Sequence, residues 1–126
     1  LSAQSVVQFD GGLASLVFHA HTKFAPAEST VVTGTQGTFR SSGPVCGNDR
    51  ITLTTEAGEA PVTLDGNWFN DGFAGAMGEL LCAIEEDREP SNSGRNNLAS
   101  LELCFAAVAS ADQGLPVKPG EVLGIS

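Results

Sequence analysis

Polar and apolar residues alternate from Val6 to Asp10 and again from Leu13 to His21. Between them Asp10-Gly11-Gly12 supplies a turn whose glycines can take positive φ. The pattern predicts a hairpin with Leu16 and Phe18 on one face and Ser15, Val17, His19 and His21 on the other. A β-branched run, Thr30 to Thr33, followed by Gly34-Thr35-Gln36-Gly37 and Thr38-Phe39, predicts a second strand-turn-strand unit. Ser41-Ser42-Gly43-Pro44 and Gly47-Asn48-Asp49 read as a loop. Ile51 to Thr55 and Val62 to Leu64 then read as two more strands around Glu56-Ala57-Gly58-Glu59, with Pro61 suited to an edge or a strand start.

The period changes after Trp68. Phe73, Met77, Leu80, Leu81 and Ile84 recur at helical spacing, Asn70 or Asp71 is placed to cap the start, and Pro90 stops the pattern. A second helix is predicted from Ser93 or Gly94, with Leu98, Leu101, Phe105 and Val108 as its apolar stripe and Gly114 as its end. Glu89-Pro90-Ser91-Asn92 joins the two into a helical hairpin, and Val117 to Val122 reads as a last strand. Strands first and helices after predict an α+β fold: one open, mostly antiparallel sheet of five or six strands with two C-terminal helices on one face. A chain of 126 residues with no linker or low-complexity tract is expected to be a single domain, 1–126.

The net charge of −9 comes from 15 acidic and 6 basic residues, with no Lys/Arg patch, which argues against nucleic acid and anionic membranes as partners. Cys46, Cys82 and Cys104 are odd in number and form no C-x-x-C. With Cys82 and Cys104 inside helical patterns they predict buried thiols in a reducing, cytoplasmic setting. The first residue is Leu1, and no signal-like segment opens the chain. This start reads as that of a processed or truncated product.

Candidate chemistry is sparse. His19 and His21, two apart on a predicted strand, leave one face together and are placed to share a metal ion or to wall a pocket, but no third ligand accompanies them. No metal site is therefore predicted. Gly34-x-x-Gly37 lacks the following helix that a phosphate loop requires and reads as a turn. Glu85, Glu86 and Asp87 read as solvated charge at a helix end. No serine elbow or cysteine-histidine pair offers a nucleophile. Trp68, alone before the first helix, reads as a core or interface aromatic or as a pocket wall. The substrate-pocket candidates are accordingly His19, His21 and Trp68, with no catalytic, cofactor or metal residue.

Four segments, in order, resemble the Gfo/Idh/MocA oxidoreductases. Phe9-Asp10-Gly11-Gly12-Leu13-Ala14-Ser15-Leu16 is similar to their F-D-N-G-A-x-A-S-L strand pair, and Val32 to Phe39 to their G-x-x-G hairpin. Phe73 to Ile84 is similar to their F-x-x-x-M-x-E-L-x-x-A-I helix. Arg88-Glu89-Pro90 with Ser93 to Leu98 resembles their G-R-x-P…S-G-x-D-x-L junction, and the second helix closes in Ala109-Ser110-Ala111 and Gly114 to Val117 as theirs does. The resemblance implies the C-terminal sheet domain of a two-domain NAD(P)-dependent enzyme acting on a sugar, inositol or related polyol. It further implies that the domain walls the substrate site and builds a homo-oligomer through its open sheet face.

The family's G-x-G-x-x-G, its E-K-P segment and its D-x-x-x-H pair are missing, so its catalytic residues carry over to no position here. NAD or NADP would come with a Rossmann domain outside this sequence. The alternative expectation is a free-standing, non-enzymatic module for dimerisation or small-ligand binding.

Overall fold

A computed structural model describes residues 2–44 and 46–122. Six strands precede two helices: β1 (Ser2–Phe9), β2 (Gly12–His19), β3 (Ala27–Thr33), β4 (Thr38–Pro44), β5 (Arg50–Thr55), β6 (Gly58–Val62), α1 (Asn70–Glu85) and α2 (Gly94–Gln113). The fold is α+β with antiparallel strands, but these form two sheets instead of one: a β1-β2 pair and a four-stranded meander β3-β4-β5-β6. The chain forms two compact units, one of residues up to 3 with 18–75, the other of 4–17 with residues from 76 on. Among the described residues no helix is long and apolar enough to cross a membrane.

Most turns fall where the turn residues lie. Gly11 takes φ 75° between β1 and β2, which glycine adopts without steric cost. Gly34 N–H donates to Gly37 C=O at 2.9 Å, closing the β3-β4 turn, and Thr55 faces Gly58 across Glu56-Ala57, so β6 begins four residues before the predicted Val62. β4 runs through Ser41-Ser42-Gly43-Pro44, where loop composition predicted a loop. Pairing on both sides, with β3 and with β5, overrides local preference. The expected strand at Val117 to Val122 is absent. Pro116 and Pro119 remove two ladder donors within four residues, and the segment is irregular with a turn at Pro119-Gly120.

Register divides the meander into unlike faces. Val32, Phe39, Leu53 and Ala60 form one row, and Ile51 lies beside Val62 in the next, giving one apolar face. The other face carries Ser29, Ser42 and Arg50 in one row, Val31, Arg40, Thr52 and Pro61 in the second, and Thr38, Thr54 and Glu59 in the third. Alternation of side chains across a strand produces both faces from the same residues.

In the second unit the helices end where short side chains meet free backbone groups. Ser93 is the N-cap of α2, its Oγ accepting from Asn96 N–H at 3.1 Å, and Gly114 closes the helix at φ 67° with its N–H on Ser110 C=O at 2.9 Å. The connection between the helices folds back along α1. Arg88 Nη1 and Nη2 donate to the two Glu79 oxygens at 2.7 and 3.1 Å, Ser91 N–H donates to Glu79 Oε1 at 2.6 Å, and Asn92 Nδ2 donates to Ala76 C=O at 3.1 Å. The bonds from Arg88 first and Ser91 second hold the Glu79 carboxyl at about 2, well below its ordinary 4.5. The same pairing, with Glu79 first and Glu86 second, raises the Arg88 guanidinium further.

The buried face of α2 is displaced by about one residue from the expected stripe. Ala106 and Ala109 are buried at 3% and 6% exposure, whereas Leu101 is 44% exposed and Leu98 and Val108 are also exposed. One residue is a 100° turn of a helix, so the burial of small Ala106 and Ala109 rotates the larger side chains outward. The thiols follow the same logic. Ala83 of α1 is buried while its neighbour Cys82 is exposed, and Cys46 and Cys104 are exposed and unbonded too, so the expectation of buried thiols is corrected.

Candidate binding site

The first unit gathers its polar loops around a cavity of about 510 Å³, in the size range of small-molecule sites. Its wall includes Asn48 and Asp49 from the loop before β5, and Asp65, Asn67, Trp68 and Asp71 from the segment leading into α1. The two sides are built differently.

Asp49 is held from β4. Ser41 Oγ donates to Asp49 Oδ2 at 2.8 Å, while Oδ1 is buried without a partner among the described residues. That carboxylate fits only because position 43 is glycine. A Cβ there would lie 2.3 Å from Asp49 Oδ1 and 3.0 Å from its Cα. Such a dry, unpaired acceptor costs about 1–3 kcal/mol.

The opposite side is a helix start. Asn67 Oδ1 accepts from Asn70 N–H at 3.0 Å, and Asp71 Oδ2 accepts from Asn67 N–H at 2.5 Å, a reciprocal capping arrangement. The cap of α1 is therefore Asn67, three residues before the expected Asn70, with Asp71 reaching back to it. Gly66 at φ 100° lets the chain turn against the Asp71 side chain. Trp68 stands at the rim, half exposed, edge-on to Phe69 at 5.2 Å and to Phe73 at 6.4 Å between ring centroids. Two aromatic neighbours fix its ring plane.

Of the three pocket candidates, Trp68 lines this cavity and the histidines do not. His19 ends β2 with Nδ1 3.0 Å from Ser2 Oγ, and His21 lies in the turn beyond the strand, so the two do not share a strand face. Among the described residues no three His, Cys, Asp or Glu side chains cluster as metal ligands would. Sequence reasoning missed Asp49 and Asp65. Their one signal was a pair of Asn/Asp/Gly loops, Gly47-Asn48-Asp49 and Asp65-Gly66-Asn67, on either side of the β5-β6 hairpin.

Both helix starts carry side-chain caps. Asn67 and Asp71 occupy the free groups at α1, where a second anion would meet a carboxylate, and Ser93 occupies the Asn96 N–H at α2. What the cavity offers is a ring to stack on, with carboxylates and amides around it. That set suits a neutral ligand rich in hydroxyl groups. No family model matches this chain, and no curated protein or solved structure matches it either.

Proposed function

We propose that this chain is the sheet-bearing C-terminal domain of an NAD(P)-dependent oxidoreductase of the Gfo/Idh/MocA kind, contributing the wall of a site for a sugar, inositol or related polyol. The reading is supported by the Trp68 cavity, where an aromatic face adjoins the acceptors Asp49, Asp65 and Asn67. Pyranose and cyclitol rings present C–H groups on one face and hydroxyls around the rim, and such a site meets both demands. The chain holds the ligand and does no chemistry alone. Hydride transfer belongs to a nicotinamide bound by a Rossmann domain. Self-association uses the hairpin face that carries the exposed Ser15, Val17 and His19.

Calorimetric titration with myo-inositol and glucose tests the site. The expected result is saturable binding that Trp68→Ala weakens at least tenfold, since losing a stacked ring removes more than about 1.4 kcal/mol. No binding of any polyol, or binding indifferent to Trp68→Ala, overturns the proposal.

A further inference from the structure

The polar face of the meander holds two arginines that form no ion pair among the described residues. The protein has six basic residues against 15 acidic ones, so a cation here has many possible partners. Arg88 and Arg95 take them, pairing with Glu79, Glu86 and Glu89. Arg40 and Arg50 form no ion pair among the described residues, and both are exposed.

Their placement follows from register. Arg40 opposes Thr52 and Arg50 opposes Ser42, so the two arginines are diagonal neighbours on adjacent strands of the same face. Such diagonals bring residues within about 7–8 Å, and long side chains reach across them. Like charges this close repel, and the one acid in these rows, Glu59, is engaged with Thr54 Oγ1 at 3.2 Å on the far side. Hydroxyls complete the row: Ser29, Ser42 and Arg50 lie side by side across β3, β4 and β5. These three residues, with Asn48 and Glu28, line a second cavity of about 410 Å³.

We infer that this row binds a small oxyanion, a phosphate monoester or a carboxylate. Arg50 supplies a planar donor fork in the cavity wall with Ser29, Ser42 and Asn48 as neutral donors, Arg40, its diagonal neighbour outside the wall, supplies a second fork, and Glu28 is the one carboxylate in the wall. Guanidinium forks match the paired oxygens of either group, and an anion between the arginines relieves their mutual repulsion. Asn48 also borders the Trp68 cavity, but Trp68, Asp49 and Asp65 play no part here, so the site stands independently of the polyol reading.

Calorimetry on the full chain with inorganic phosphate, glucose 6-phosphate and gluconate tests the inference and separates the two anion types. Saturable binding of at least one of them is expected, at least tenfold weaker in Arg50→Gln and in Arg40→Gln and weakened by added salt, with Trp68→Ala leaving inorganic phosphate binding unchanged. Melting curves of the arginine variants should match the parent, since both side chains are exposed. Absence of saturable binding by all three probes overturns the inference. So does binding that survives in the Arg40→Gln/Arg50→Gln double variant.

Discussion

The two units stabilise themselves by opposite means. In the helical unit the telling contacts are local: Ser93 with Asn96, Gly114 with Ser110, and Arg88 with Glu79 nine residues away. In the sheet unit they are assembled by register, as when Ser41 on β4 holds Asp49 from the following loop, or when Arg40 and Arg50 become diagonal neighbours on adjacent strands. Local contacts secure ends and connections. Assembled contacts place unlike chemical groups together, and both candidate binding cavities lie in the sheet unit.

The largest expected effect is in the sheet unit. Gly43→Ala should destabilise by about 1–3 kcal/mol, because the new methyl meets Asp49 Oδ1 at 2.3 Å and cannot escape the Asp49 and Asn48 backbone. Denaturant titration measures the loss. A neutral result would mean that the 47–49 loop yields freely and that Asp49 is not fixed in the cavity wall.

Ser93→Ala should cost about 1 kcal/mol by removing the cap bond, with Ser93→Thr restoring most of it, because the hydroxyl that accepts from Asn96 N–H also donates to Glu89 Oε1 at 2.9 Å. Indifference to both would show that the α2 start is secured by the Glu79 network alone. Next comes a gain. An added Cβ at Gly75 meets nothing within 4 Å, so Gly75→Ala should raise stability by about 0.5–1 kcal/mol through helix propensity. A loss, or a drop in oligomer size by light scattering, would reveal another backbone against that surface.

The smallest effect is electrostatic. Glu79 is lowered to about 2 in the folded chain from 4.5, so its stabilisation is complete above pH 4.5 and fades as pH falls toward 2. Glu79→Gln should therefore lower the melting temperature at pH 6 to 7 and converge with the parent near pH 2. A pH-independent difference would assign the contribution to geometry and not to charge.

How much of this was legible beforehand follows from the same division. The α2 limits could be read from Ser93 and Gly114, since caps act within four residues. The α1 cap was missed because Asn67 is followed by Trp68-Phe69, an apolar pair that does not look like a first turn, while Asp71 reaches back four residues. Side-chain size is a poor guide to the buried stripe of α2, whose buried positions are the alanines 106 and 109. The Trp68 cavity was visible beforehand only through its aromatic. Asp49 and Asp65 are 16 residues apart, and their approach depends on the length of the intervening hairpin.

The edges of the meander differ in a way that carries beyond the fold. Pro61 of β6 opposes Thr52 in a pair whose backbone groups point outward, so the proline removes a donor from the exposed edge itself. On β3, Ser29, Val31 and Thr33 turn their backbone groups outward with no proline or lysine to discourage pairing. In the vocabulary of step-growth polymerisation, the sheet is a monomer with one reactive end. A sheet with one edge closed to pairing cannot extend without limit by edge-to-edge addition, whereas a sheet open on both sides can.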